Sequence, residues 1–419
     1  MKKLYLEFVR GMASLFVVCY HLLGLYPDQG ALKGITFGPF GPYSVVMFFI
    51  LSGCVINISQ TVRPKSRKKF FVDRVLRLCP QFFLGVLLGL IVTWLIGWKL
   101  PSIGQFAGNL FMLSTQEGYI VPSMKGNSAV WSLSFEMFFY LVFLITIGPA
   151  QKKRILGWFT LSLIAIPLCY AVTYVGVIDH LVLMLAFSFM WLVGYYTYEY
   201  RHLFYVDGYT AALSLACVAV VTRVDIPWQL DRDPIKYMLF ATLAIPFFRF
   251  CLQTGPTRRK IPILLLALAW LLLSTVYLLQ RQPSLRVRLA SCVLPLVLLP
   301  LFALILRSGL KQKVIALVDR LGIILGKYSY SLYIGHMPIL FLVGYFFPHQ
   351  FMLYAAVSVA LIIPLTWFME SRFQQTVKRL FTAKTFAPQP LARPDNRFTH
   401  YANSLPDSPN PPESPESSP

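Results

Sequence analysis

Acidic residues are scarce in this chain, and so is charge of either sign. Of 419 residues, 17 are Asp or Glu against 38 Lys or Arg, and charged side chains make up 13% of the whole beside 57% hydrophobic. Soluble domains carry about 25% charged residues, so this shortage, with a mean hydropathy of +0.62, excludes an ordinary soluble fold. The net charge of +21 has no basic and aromatic module behind it; the Lys and Arg sit mainly in short segments between apolar runs, which argues against nucleic acid as a partner. Metal-ligand spacing is missing too. Cys19, Cys54, Cys79, Cys169, Cys217, Cys251 and Cys292 all lie inside or beside apolar runs and read as small packing residues, so no metal site is in view. There is no internal repeat of obvious period. No small-x-small cleavage site follows Met1-Lys2-Lys3, and the first apolar run is therefore read as a retained span rather than a signal peptide.

What the chain does have is apolar runs of spanning or near-spanning length. They fall near 4–25, 43–60, 78–97, 129–147, 155–175, 180–199, 208–223, 235–252, 261–279, 289–306, 324–346 and 351–369. The pattern predicts an all-α fold, a polytopic transmembrane helix bundle of about 10–12 spans. Threaded with the N-terminus inside, the basic loops 63–77, 152–154, 258–260 and 307–320 share one side, so both termini are expected to be cytoplasmic. Segment 280–288, with Arg281, Arg286 and Arg288, falls on the opposite side and leaves the span count between 208 and 306 open. Residues 1–372 read as the membrane domain and 373–419 as a basic segment with a disordered, Pro- and Ser-rich cytoplasmic tail. The outer segment 98–128 is long enough to cover a substrate entrance or to be a disordered connection.

Within these runs a few polar residues stand out. Arg10 and His21, eleven positions apart, fall on one helix face at opposite depths, separated by about 16 Å of rise. Ionisable groups in a span cost a few kcal/mol and usually face a bundle interior or a wet cavity; anchoring at the headgroups and interhelical hydrogen bonding are the structural alternatives. Ser52 and Gly53 form a small pair in the second run. Arg74 and Arg77, one turn apart at the cytoplasmic mouth of the third run with Pro80 expected in its first helical turn, suit a phosphate-bearing ligand through their forked geometry, or serve as ordinary positive-inside anchors. Glu136 is placed at a depth similar to that of His21, giving either a base with its orienting carboxylate or a buried ion pair. Ser329, Tyr333 and His336 are spaced i, i+4, i+7 and share a face. Glu370 and Arg372 read as exposed interfacial charges.

Taken together, these residues resemble the acyltransferase-3 family of integral-membrane O-acyltransferases. The resemblance rests on Arg10 and His21, FFILSG around Ser52, Arg74-x-x-Arg77-x-x-Pro80, Trp131-Ser132-Leu133-x-x-Glu136-x-x-x-Tyr140 and YSYSLYIGH ending at His336, with a softer match around Gly194. Where that family often closes its last span with Glu-Arg-Pro, this chain has Glu370-Ser371-Arg372. The resemblance implies transfer of an acyl group, commonly acetyl from acetyl-CoA, to a hydroxyl of an envelope or exported carbohydrate at a bacterial inner membrane.

These lines combine into one expectation. Arg74 and Arg77, with Arg10, hold the phosphates of acetyl-CoA or another acyl-CoA. His21 acts as general base or acyl carrier, with Glu136 fixing its tautomer. Ser329, Tyr333 and His336 bind the acceptor, a carbohydrate or lipid-linked glycan, or stabilise the oxyanion. A transporter or flippase is the competing reading, though no second copy of the polar motifs is visible.

Overall fold

The computed structural model describes residues 2–26, 40–115, 120–171, 176–224, 234–252, 263–280 and 310–385, with scattered positions between 285 and 297. In a bilayer every backbone polar group must be satisfied internally, and the described chain accordingly is almost entirely helix. The helices are α1 (Lys2–Gly24), α2 (Phe40–Val62), α3 (Arg67–Leu95), α4 (Ile103–Leu110), α5 (Trp131–Thr146), α6 (Gln151–Ala171) and α7 (Val177–Glu199). There follow α8 (Gly208–Val221), α9 (Pro234–Leu252), α10 (Ile263–Leu279), α11 (Leu310–Phe346) and α12 (Phe351–Phe368), the last running through a π-helical turn at Met369–Phe373 into α13 (Gln374–Thr385). Among the described residues, eight segments are long and apolar enough to cross a membrane: α1, α2, α3, α5 with the 3₁₀ turn Lys125–Val130 before it, α6, α7, α9, and α12 with its continuation. The fold is an all-α polytopic bundle, and the protein is an integral membrane protein.

Residues Met1–Gln375 form one compact unit and Thr376–Pro419 a second, described as helix up to Thr385. The expected tail from 386 and most of the expected run at 289–306 lie outside the described residues. Two helices begin earlier than the apolar runs suggested. α3 starts at Arg67 and α11 at Leu310, so much of the expected loops 63–77 and 307–320 is helical. Lys and Arg are good helix formers, and a hydropathy window sees only the apolar part of a helix that projects beyond it. Segment 98–128, expected on the outer side, contains α4, a short parallel pairing of β1 (Ser114–Thr115) with β2 (Val121–Pro122), and the 3₁₀ turn.

Side-chain ties fix the directions of the helices. Along α1 and α11, Arg10 meets Ser329 and His21 meets His336, so the two run parallel. α3 and α11 are parallel too, with Leu78 facing Tyr330 and Gln81 facing Ser331. α1 therefore ends on the face opposite the one where α11 begins, and an odd number of crossings must separate them. Among the described residues, α2, α3, α5, α6 and α7 are five candidate crossing segments between them. α2 and α7 approach to backbone contact at Gly53 and Gly194, where an added Cβ would strike the carbonyls of Trp191 and Ile50 respectively. Small residues allow this kind of close approach between helices in a membrane.

Prolines inside two helices explain two long-range ties. Pro80 sits well inside α3 rather than in its first turn, and its missing N–H frees the carbonyl of Leu76. Gln374 Nε2 donates to that carbonyl at 2.6 Å. Pro338 likewise frees the carbonyl of Ile334 in α11. There the donor is Nδ2 of the fully buried Asn127, 3.0 Å from Ile334 O and 3.0 Å from Gly85 O.

Candidate active site

α1, α2, α3, α5 and α11 enclose a cleft of about 870 Å³. One end is lined by Arg63, Lys65 and Lys69 at the α2–α3 turn, the other by Ser132 and Tyr333. Six Lys or Arg line it against three carboxylates, Glu7, Asp73 and Glu136. Lys65 is paired with Asp73 at 2.6 Å and Arg10 with Glu7. Arg74 and Arg77 have no ion pair among the described residues. The Arg74 guanidinium lies 5.7 Å from the ring centroids of both Phe70 and Tyr140, and its Nε is buried without a hydrogen-bond partner. Arg74 and Arg77 are half-buried, and cations outnumber carboxylates in the cleft lining.

Arg10 is largely committed to the protein. Its Nε donates to Ser329 Oγ at 2.9 Å and its Nη2 to the carbonyl of Gly326 at 2.6 Å, beside the ion pair with Glu7. Gly326 permits this approach, because a Cβ there would collide with Glu7. Of the guanidinium's five N–H donors, only the two on Nη1 make no hydrogen bond to protein among the described residues, and these alone remain for a ligand.

Glu136 lies in the cleft. Tyr140 donates to its Oε1, and Ser52 Oγ is 3.3 Å from the same oxygen and 3.2 Å from the Tyr140 hydroxyl. Trp191 Nε1, from α7, donates to Ser52 Oγ at 3.3 Å. Both bonds to Glu136 fall on Oε1, and Oε2 has no hydrogen bond among the described residues. Phe49, Phe135, Phe139, Phe143 and Phe187, all buried, pack behind the cluster and hold it in place.

His21 has a different partner. Its Nδ1 lies 2.8 Å from Nε2 of His336, whose own Nδ1 is 3.1 Å from the carbonyl of Leu332. His336 is fully buried and His21 half-buried. Glu136 is bonded to Tyr140 and Ser52, so it does not orient His21. Similar depth on two helices does not bring their side chains to the same azimuth.

Ser329, Tyr333 and His336 do share a face of α11, but each grips a different neighbour. Ser329 accepts from Arg10 and donates to Gly326 O at 2.9 Å. Tyr333 donates to the carbonyl of Ala129 at 2.6 Å and is 2.7 Å from Ser132 Oγ. With their hydroxyl protons spent on backbone carbonyls, Ser329 and Tyr333 are not free oxyanion donors. Tyr333 instead forms a wall: it lines the cleft, packs edge-on to Phe48 at 5.5 Å, and has the His336 ring 6.0 Å away. The histidine pair is not part of the cleft lining and stands beyond that wall.

Glu370 is also other than expected. Rather than an exposed charge, its Oε2 accepts from Gln81 Nε2 at 2.9 Å and from Ser331 Oγ at 2.8 Å, joining the π-helical turn to α3 and α11. Arg372 is exposed, with Trp367 below it at 5.6 Å. Sequence reasoning missed Asn127, Gln81 and Glu7. The signal for the first was present in Pro338, since a proline inside an apolar run creates an orphan carbonyl that some donor must meet.

The chain matches the acyltransferase-3 family, described as an acyltransferase domain, over residues 3–370, and it belongs to that family. No curated protein and no solved structure shows a significant match to it.

Proposed function

We propose that this acyltransferase is an O-acyltransferase that takes acetyl, or another short acyl group, from acyl-CoA and places it on a hydroxyl of an envelope or exported carbohydrate. The observation that carries the reading is the cleft with its surplus of cations and its unpaired Arg74 and Arg77, ending against the wall that borders the histidine pair. The end lined by Arg63, Lys65 and Lys69 lies where the Lys- and Arg-rich segments gather, the cytoplasmic side by the positive-inside rule, at a bacterial inner membrane. Arg74, Arg77 and the free Nη1 of Arg10 bind the phosphates of the donor, as forked cations do. The apolar and polar walls farther in take the thioester arm, and Oε2 of Glu136 accepts a hydrogen bond from it.

His21 serves as general base. The acceptor hydroxyl loses its proton to the imidazole as its oxygen forms a bond to the thioester carbonyl carbon. The C–S bond then breaks, and the proton passes to the departing thiolate, giving an ester and free CoA thiol. Base catalysis of this kind contributes about 10² to 10⁴ in rate.

The test is transfer from labelled acetyl-CoA into base-labile ester on envelope carbohydrate, in host membranes bearing wild type or His21→Ala at equal abundance. Label that depends on His21 supports the reading. Absence of ester in both refutes it, and substrate flux through reconstituted protein without acylation would favour a transporter instead.

A further inference from the structure

We propose that His336 is a positioning residue that fixes the tautomer of His21, so that Nε2 of His21 is the nitrogen that takes the acceptor's proton. The inference rests on the proposed role of His21 as base and deepens it.

Hydrogen-bond direction assigns the protons along this pair. A carbonyl oxygen only accepts, so His336 Nδ1, 3.1 Å from Leu332 O, carries the proton. The other nitrogen of the neutral ring, Nε2, is then a bare acceptor. His21 Nδ1 stands 2.8 Å from it and must be the donor. With its proton on Nδ1, neutral His21 has its lone pair on Nε2. Backbone carbonyl, His336 and His21 thus form a chain in which each link determines the next, and the first link is part of a helix.

The ring geometry agrees. The imidazole centroids are 5.0 Å apart and the planes 19° from parallel. That separation is the N···N distance extended by one ring radius at each end. The rings therefore meet edge to edge along the lone-pair direction, in nearly one plane, and are not stacked face to face. Because His336 is fully buried, water does not compete for this bond. Both histidines are on parallel helices locked together by Arg10, which holds the pair in register.

No carboxylate takes part in this chain, as Glu136 is held by Tyr140 and Ser52. When His21 is protonated on Nε2, its Nδ1–H still points at the His336 lone pair, and a shift of that proton moves the positive charge to His336, whose two N–H groups then face His21 and Leu332 O. The pair can share the charge without a buried anion, and the resting site stays neutral.

Two measurements test this. The first is ¹⁵N-histidine NMR of the full chain in detergent micelles. The chain has six histidines, and His21→Ala identifies the signal of interest. The expected spectrum has His21 protonated at Nδ1 and bare at Nε2, with that preference lost in His336→Phe. An Nε2–H tautomer in the wild type, or no change in His336→Phe, overturns the proposal. This readout does not need an acceptor.

The second is acetyl transfer by three His336 variants. Gln places an amide oxygen near the position of Nε2 and can accept from His21; Asn reaches only the region of Nδ1 and Leu332 O; Phe keeps the volume alone. His336→Phe and His336→Asn are expected to lose kcat by about 10² to 10⁴, the range for loss of a general base or its correct tautomer. KM for acetyl-CoA should be unchanged, and His336→Gln should recover most of the loss. Equal activity of Gln and Asn variants, or wild-type kcat in His336→Phe, overturns the proposal while leaving His21 as base. Full activity in His21→Ala refutes the base itself. If His336→Phe does not fold, the Gln and Asn pair still decides the question.

Discussion

Asn127 and Pro338 should be energetically coupled although they belong to different elements. Asn127→Ala removes an amide that donates at 3.0 Å to both Gly85 O and Ile334 O. The two carbonyls are not equally affected. Gly85 keeps its helical partner four residues on, whereas Ile334 O has none, because residue 338 is a proline. Losing one of two bonds at Gly85 costs about 0.5–1.5 kcal/mol, and leaving a buried carbonyl unsatisfied costs about 1–3 kcal/mol. Asn127→Ala is therefore expected to destabilise by about 2–4 kcal/mol. Pro338→Ala restores a backbone N–H aimed at Ile334 O. In that background Asn127→Ala should be cheaper by the share owed to Ile334, about 1–3 kcal/mol, which is within the range of coupling for contacting groups. The assay is reversible unfolding in mixed micelles for the wild type, both single variants and the double variant. The same loss from Asn127→Ala in both backgrounds would refute the idea that the asparagine stands in for the missing proline N–H.

Three further expectations follow from the packing and the site. Gly194→Ala drives a Cβ into the carbonyl of Ile50, so α2 and α7 must part; a loss of about 1–3 kcal/mol is expected, with a shift in tryptophan fluorescence as the Trp191–Ser52 bond breaks, and a thermally unchanged variant would count against the contact. Arg10→Lys keeps a charge opposite Glu7 but loses the fork that holds Ser329 and Gly326, so it should unfold at a temperature between those of wild type and Arg10→Met; equal loss in both would mean that the charge is irrelevant. Tyr333→Phe should lower stability by about 1–3 kcal/mol through the freed Ala129 carbonyl and leave acetyl transfer within a few-fold of wild type; a drop beyond 100-fold at unchanged stability would restore Tyr333 as an oxyanion donor.

The bundle was legible in the apolar runs because hydropathy reports directly on what lipid requires of a helix. Several polar residues singled out in the sequence, Arg10, Ser52, Arg74, Arg77, Glu136, Ser329 and Tyr333, line one cleft. Their pairing was not legible. Helical periodicity fixes a residue's face and depth on its own helix and says nothing about how neighbouring helices are rotated toward one another. His21 was thus matched by depth with Glu136, while rotation gives it His336. The same limit hid the buried role of Glu370, whose partners Gln81 and Ser331 lie 289 and 39 residues away in the chain.

The tie between α1 and α11 has a consequence for how the protein is made. Arg10 and Ser329 are 319 residues apart, and His21 and His336 are 315 apart. At a synthesis rate of about 5–20 residues per second, the first helix waits roughly 15–60 s in the bilayer before its partner leaves the ribosome. During that interval its arginine and histidine have none of the α11 contacts that later bury them. A nascent chain that stops before α11 therefore carries Arg10 and His21 without Ser329, Gly326 and His336 to pair with.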